Sequence, residues 1–235
     1  MSAGSLDGVA VIIPARNEAD RIAATVTGAI ALAGVSLVVV VDDGSGDATG
    51  AIARRAGAIV IRHARNRGKA AAMQTGAHAA GLIDQRERRE HPRHLLFLDA
   101  DLGESAARAA PLADPVIAGT ADMTIAVFAT TVKLGGHGLV VGLSGAGIRR
   151  AVGWQPVQPL NGQRCLTRAA FEAARPLARG WGVETALTID LLRQGFRVTE
   201  VEVELAHRAT GTGLRAQLHR AHQLADVARA LAVRP

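Results

Sequence analysis

A chain of 235 residues with a formal charge of +6 and 49% hydrophobic residues is long enough for one sizeable α/β core, and two small domains suit it less well. No apolar run reaches bilayer-spanning length, and the lone cysteine, Cys165, excludes an internal disulfide and a thiolate metal cluster. Lysine occurs only at 69 and 133, so arginine carries the positive charge and favours anionic partners, while the lack of tyrosine removes a stacking platform for nucleic acid.

Residues 9–15, VAVIIPA, form a short continuous apolar run ending near Pro14, which predicts a buried parallel strand. Residues 17–33 predict a helix with Ile22, Val26 and Ile30 at helical spacing, and 36–43, SLVVVVDD, predict a second strand. A helix over 51–57, a strand over 58–63 and an alanine-rich helix over 68–83 follow. A charged loop (85–94) then leads into a fourth strand, LLFLDAD, at 95–101. Repeated strand–helix units imply right-handed crossovers and a mostly parallel, Rossmann-like central sheet with helices on both faces.

The second half reads less regularly. Residues 123–130 predict a strand, and the glycine-rich stretch 132–154 takes no clear assignment. Residues 161–174 predict a short strand running into a helix, and 183–195 a helix stopped by Gly195. Over 196–207 the residues alternate, with Val201, Val203 and Leu205 on one face and Glu200, Glu202 and Glu204 on the other, the pattern of a half-exposed strand. His207 shares the inward parity. Residues 213–233 predict an amphipathic tail helix.

In parallel sheets ligands bind beyond the carboxyl ends of the strands. Here four consecutive ends carry polar signals: Pro14-Ala15-Arg16-Asn17-Glu18, Asp42-Asp43-Gly44-Ser45, Asn66-Arg67-Gly68-Lys69 and Asp99-Ala100-Asp101. As strand residues of one parity, Asp99 and Asp101 face the same point, and a divalent cation would relieve their repulsion. Lys69 opens a helix after Gly68, and a helix N-terminus already favours phosphate.

VIIPARNEADRI, VVVVDDGSGDAT, NRGKAAAMQTG and LLFLDADLGES together resemble the nucleotide-sugar-binding half of GT-A glycosyltransferases, family 2 in particular. Downstream, PLNGQR and GWGVETALTIDLLRQGFRVTEVEVELAHR resemble two branches of that family, dolichyl-phosphate mannose synthases and glucosyl-3-phosphoglycerate synthases. The resemblance covers roughly residues 8 to 210 and implies a single GT-A domain over 1–235. In that division 8–105 binds the donor, 106–210 the acceptor, and 211–235 is the amphipathic helix.

The resemblance further implies transfer of a sugar from a UDP- or GDP-sugar to a phosphorylated or polyprenyl-phosphate acceptor, dependent on Mg²⁺ or Mn²⁺. Pro14, Ala15 and Glu18 would line the nucleoside pocket, Asp43 with Asp42 beside it would bind the base, and Lys69 would reach the base or diphosphate. Asp99 with Ala100 would sit near the ribose, and Asp99, Asp101 and His207 would ligate the metal. On the acceptor side would stand Gln163, Arg164, Trp181 and Arg208, with Arg164 holding an acceptor phosphate and Trp181 offering a flat face to a sugar. Glu184 would orient or deprotonate the acceptor, and Asp101 would share in catalysis through the metal. The two branches differ in stereochemistry, so the resemblance leaves inversion or retention open.

A sugar nucleotidyltransferase is disfavoured because the turn after the first strand, PARNEAD, lacks glycine, and a non-catalytic nucleotide-binding protein because Asp99, Asp101, Lys69 and His207 are all present. The opening MSAGSLDG has neither basic region nor apolar core, so a cytoplasmic protein is expected. The tail helix sets Leu214, Leu218, Ala221, Leu224, Ala225, Ala228 and Leu231 on one stripe, with Arg215, His219, Arg220 and Arg229 largely off it. Packing of that stripe against the sheet domain is the first expectation. Peripheral contact with the inner face of an anionic membrane is the second, with Lys133, Arg149 and Arg150 as a further basic contact. No nucleic-acid partner is expected, and a homodimer is allowed.

Overall fold

The structure is a computed structural model that describes residues 8–128, 138–206 and 214–234, with side chains in the last segment from residue 221 onward. In chain order the elements are β1 (Val9–Ala15), α1 (Ile22–Ile30), β2 (Val35–Asp42), α2 (Thr49–Arg55), β3 (Ile59–Arg62), α3 (Lys69–Arg86) and β4 (His94–Phe97). Then come 3₁₀ turns at Gly103–Arg108 and Ala110–Leu112, α4 (Asp114–Ile117), β5 (Met123–Phe128), α5 (Gly138–Val152), β6 (Arg164–Leu166) and α6 (Arg168–Ala173). A 3₁₀ turn at Gly180–Gly182, α7 (Val183–Arg193), β7 (Val198–Val203) and α8 (Leu214–Ala232) complete the described chain.

The strands make one seven-stranded sheet in the order β3-β2-β1-β4-β6-β5-β7. Only β6 runs against the rest, because it pairs antiparallel with both β4 and β5 while the other pairings are parallel. From β1 the chain winds outward to β2 and β3, then returns to place β4 on the other side of β1. The crevice beyond the ends of β1 and β4 is therefore the topological switch point, where open α/β sheets bind ligands.

Strand alternation splits the core into two layers. Val9, Val11, Ile13, Val38, Val40 and Leu96 meet Ile22 and Val26 of α1 on one face. Ala10, Ile12, Val39, Val41, Leu95 and Phe97 meet Met73 and Ala77 of α3 and Phe171 of α6 on the other. Phe97 and Phe171 stack with ring centroids 5.5 Å apart, a geometry favourable for offset rings.

Several features differ from expectation, each for a local reason. Helix α1 begins at Ile22 because the preceding residues are tied to the β2 loop, with Asn17 in left-handed backbone (φ 56°). Its inward face is Ile22, Thr25, Val26 and Ala29, so Ile30 is left 45% exposed. Strand β4 ends at Phe97, and the last ladder bond is Leu98 N–H to the Ile12 carbonyl at 3.1 Å. Asp99 to Asp101 thus lie in a turn, and strand parity does not orient them. The unassigned glycine-rich stretch contains α5, which buries Val140 and Ile148 and pairs the Ser144 hydroxyl with that of Thr185 at 2.7 Å.

Strand β7 keeps its expected alternation, with Val203 and Leu205 buried and Glu202 and Glu204 exposed. Of the described residues in the stripe expected of α8, Leu231 packs inward and the others do not. Val227 and Ala230 are buried, whereas Ala221, Leu224, Ala225 and Ala228 are exposed. The helix docks through Leu231 against Gly147 of α5 and through Ala230 against Gly182, and these contacts set its rotation. The expected positions 214–220 lie outside the described side chains.

Candidate active site

The loops after β1 and β2 are laced together at the sheet's carboxyl edge. Asn17 N–H donates to Ser45 Oγ at 3.0 Å, Gly46 N–H to Asn17 Oδ1 at 2.9 Å, and Glu18 N–H to Thr49 Oγ1 at 2.8 Å. This lacing holds Pro14 and Glu18 half-buried beside buried Ala15, at the mouth of the crevice.

Asp42, which ends β2, and Asp43 after it, the pair expected to contact a base, are hydrogen-bonded into the framework of that mouth. Asp42 is 0% exposed. Its Oδ1 accepts from Ser45 N–H at 2.8 Å, and its Oδ2 occupies the space beside Gly50 of α2, 3.6 Å from Arg62 Nε. The buried Asp43 carboxylate accepts from Arg67 N–H and Gly68 N–H, each at 2.8 Å, and pairs with His63 Nδ1 at 2.6 Å. His63 Nε2 in turn meets Thr75 Oγ1 of α3 at 2.9 Å. Asp43 and His63 thus fix the turn 66–68 that delivers Lys69 to the crevice.

There the side chains converge. Lys69 Nζ lies 2.8 Å from Asp99 Oδ1 and 3.1 Å from Glu184 Oε1, bridging a carboxylate of the turn after β4 and one of α7. Burial pulls the Lys69 ammonium down, but Asp99 and Glu184 overcome it and hold the group well above the ordinary lysine value. The cation therefore stays charged and screens two carboxylates that would otherwise repel each other. A Cβ on Gly162 would stand 2.2 Å from Lys69 Nζ, so a larger residue there would displace the ammonium from its place. Gln163 is 0% exposed, and its Nε2 donates to Asp99 Oδ2 at 2.9 Å. Through this bond Gln163, expected on the acceptor side, orients Asp99.

The Asp99–Asp101 turn is held from α1. Thr25 Oγ1 donates to the Ala100 carbonyl at 2.9 Å and accepts from Gly103 N–H at 2.8 Å, and Arg21 Nη1 donates to the Asp101 carbonyl at 3.2 Å. Asp99 and Asp101 are half-buried on either side of buried Ala100. Two hard carboxylates one residue apart fit Mg²⁺ or Mn²⁺. No group of three His, Cys, Asp or Glu side chains suited to a metal occurs among the described residues. His207 and Arg208 lie outside the described residues.

Arg164, expected to hold an acceptor phosphate, lies inside the protein. At 1% exposure it points into the core, donating from Nε to the Asn161 carbonyl (2.8 Å) and from Nη2 to the Pro159 carbonyl (2.9 Å). Its Nη1 donates to Thr188 Oγ1 (2.9 Å) and the Glu184 carbonyl (3.1 Å). Burial pushes its guanidinium down to about 10, against the upward pull of Glu184 and Glu200, so it stays charged at neutral pH. All three of its nitrogens are engaged inside the protein, and Arg164 holds the first turn of α7 in place of an acceptor phosphate. Trp181 is 39% exposed in the Gly180–Gly182 turn.

Sequence reasoning missed Thr25, His63 and Asn17. Thr25 had a readable signal, a hydroxyl on the inward face of α1 between Ile22 and Val26. Pairing of His63 with Asp43 is a tertiary contact with no local pattern.

The family model described as glycosyl transferase family 2 matches residues 10–136. Among curated relatives, an uncharacterised protein of Methanocaldococcus jannaschii is 39% identical over 95 residues, 40% of this chain and 36% of that protein. Glycosyltransferase AglJ of Haloferax volcanii is 26% identical over 211 residues, 88% of this chain and 65% of that protein. The chain thus spans about a third of one curated relative and under two thirds of the other. Glucosyl-3-phosphoglycerate synthase from Mycobacterium tuberculosis, solved with phosphoglyceric acid, superposes with a TM-score of 0.78 at 23% identity, covering 100% of this chain and 84% of that one. Its complex with Mn²⁺, UDP and phosphoglyceric acid gives a TM-score of 0.76 at 24% identity over 96% of this chain and 78% of that one. The fold is of the GT-A type.

Proposed function

This chain belongs to glycosyl transferase family 2, and from that premise we propose that it moves a hexosyl group from a UDP- or GDP-sugar to a phosphorylated acceptor with the help of Mg²⁺ or Mn²⁺. The observation that carries the reading is the meeting of Lys69, Asp99 and Glu184 at the switch point, where a donor diphosphate and an acceptor would come together. Solved relatives in complex with UDP, Mn²⁺ and phosphoglyceric acid support it.

In this reading Pro14, Ala15 and Glu18 line the nucleoside pocket over the framework of Asp42 and Asp43. Asp101 and Asp99 hold the cation, with His207 as the further ligand. When bound, such a cation neutralises charge on the leaving diphosphate. Lys69 adds a fixed positive charge beside the same group, in a partly buried setting where it acts more strongly than in water. The bond from the anomeric carbon to the diphosphate oxygen breaks, and the nucleoside diphosphate leaves with the electron pair. An acceptor oxygen then bonds that carbon, Glu184 orienting it and taking its proton where it carries one. Trp181 offers its exposed face to the sugar.

A second observation bears on the acceptor. The apolar residues Ala221, Leu224, Ala225 and Ala228 of α8 face outward, Leu139 of α5 is 81% exposed, and Arg149, Arg150 and Arg229 are exposed as well. No described helix is long and apolar enough to cross a membrane. This pattern favours an acceptor presented at an anionic membrane surface on the cytoplasmic side, approached by peripheral contact. Flotation with anionic liposomes that is strong at low salt and lost at high salt supports it, and failure to float at low salt points to a freely soluble acceptor.

The central test is a thermal-shift screen of UDP and GDP with and without Mn²⁺, on wild type and Asp101→Ala. Metal-dependent stabilisation by one nucleotide, abolished in the variant, is expected. Equal stabilisation in both proteins overturns the metal assignment. Glu184→Gln should keep nucleotide binding and lose transfer by about two orders of magnitude.

A further inference from the structure

Helix α7, which carries Glu184 in its first turn, starts without a cap of its own. Its N-cap is Gly182, and neither that residue nor Arg179, which precedes the Gly180–Gly182 turn, makes a side-chain cap hydrogen bond. Amides at a helix start need acceptors, and a carboxylate is the favoured partner on both hydrogen-bond and dipole grounds.

For the 3₁₀ turn that leads into α7, the acceptor comes from α8. Asp226 Oδ2 accepts from Trp181 N–H at 3.1 Å, while Oδ1 is steadied by Arg229 Nη1 at 3.2 Å. The turn is shaped for this visitor. A Cβ on Gly180 (φ 66°) would lie 2.0 Å from Asp226 Oδ2, and one on Gly182 would lie 2.6 Å from the Asp226 carbonyl and 2.7 Å from Ala230 Cβ. Further along, Arg234 forks onto Asp190 of α7 at 2.6 and 2.7 Å. Helix α8 therefore grips α7 at two points, one just before Glu184 and one beyond it.

We propose that Asp226 is a positioning residue: it caps the entry to α7 from a separate helix and so holds Glu184 against Lys69. The inference rests on the role given to Glu184 above, and Glu184→Gln tests that role independently. A carboxylate acting on a reacting group tolerates little displacement, since an error of about 1 Å can cost on the order of a hundredfold in rate.

The test compares Asp226→Ala, Asp226→Asn and Arg234→Ala with wild type. Amide hydrogen exchange needs no substrate. Asp226→Ala should speed exchange at residues 181–185 at least about tenfold. Asp226→Asn, whose side-chain carbonyl still accepts from Trp181, should restore most of the protection. Arg234→Ala, which cuts the far grip only, should lower the melting temperature and leave exchange at 181–185 unchanged. In turnover of UDP-glucose and GDP-mannose with Mn²⁺, Asp226→Ala should lower kcat with little change in donor KM. It should have no further effect in a Glu184→Gln background. Wild-type exchange at 181–185 in Asp226→Ala overturns the cap, and a loss of turnover fully additive with Glu184→Gln overturns the action through Glu184. Wild-type turnover in Glu184→Gln alone refutes the role of Glu184, while the exchange result still decides the cap.

Discussion

Replacing Arg164 by methionine separates two readings of the same residue. If Arg164 held an acceptor phosphate, the variant would fold normally and bind acceptor poorly. The structure instead buries it with four hydrogen bonds, to Asn161 O, Pro159 O, Thr188 Oγ1 and Glu184 O. Methionine fills most of the volume but donates nothing. Thr188 Oγ1 still donates to Glu184 O at 2.9 Å, so the carbonyls of Pro159 and Asn161 are the acceptors left stranded. Each costs about 1–3 kcal/mol when unsatisfied in the interior. Removal of a buried cation, whose guanidinium burial already pushes down to about 10, returns part of that loss. The net expectation is a destabilisation of about 3 kcal/mol, which for a domain of this size lowers Tm by roughly 6–12 °C. Thermal and urea unfolding would measure it, alongside KM for donor and acceptor. A methionine variant with a wild-type unfolding midpoint and only a raised acceptor KM would refute this account of Arg164.

Lys69 is held above its ordinary value of 10.5 in the folded state, so its contribution is complete below that value and is lost only as pH rises through the raised folded one. Lys69→Met should accordingly be destabilised by a constant amount between about pH 6 and 9, and urea midpoints that converge with wild type by the alkaline end of that range would contradict it. Arg197 hydrogen-bonds Asp122 and holds its carboxyl below the usual 3.8. That stability is present above 3.8 and lost as pH falls through the depressed value, so acid titration of Asp122→Asn should show a shallower loss of stability below about pH 4 than wild type. Cys165 is 0% exposed and burial pushes its thiol up. Its alkylation by a maleimide should track global unfolding in a urea series, and rapid labelling of native protein would mean β6 opens locally.

Much of the framework could be read from local pattern. The apolar runs of β1 and β2, the alternation of β7 and the alanine-rich α3 each obey a short-range rule, and a repeated strand–helix order implies a parallel sheet. The polar strand ends were legible for the same reason, since chain order alone brings them to one edge. What local pattern could not supply was side-chain direction. Arg164 and Gln163 read as a polar pair on the acceptor side, and only their neighbours on α7 and in the turn after β4 turn one into the core and the other onto Asp99. Asp42 and Asp43 read as ligand contacts, and the backbone amides of Ser45, Arg67 and Gly68 donate to them within the protein. Of the α8 stripe, Leu231 packs inward while Ala221, Leu224, Ala225 and Ala228 face outward, because Gly147, Gly180 and Gly182, far away in sequence, choose which side of the helix can approach. Periodicity ranks the faces of an element by hydrophobicity. Which face is buried, and which polar group is satisfied before a ligand arrives, depends on partners that only the folded chain brings within reach.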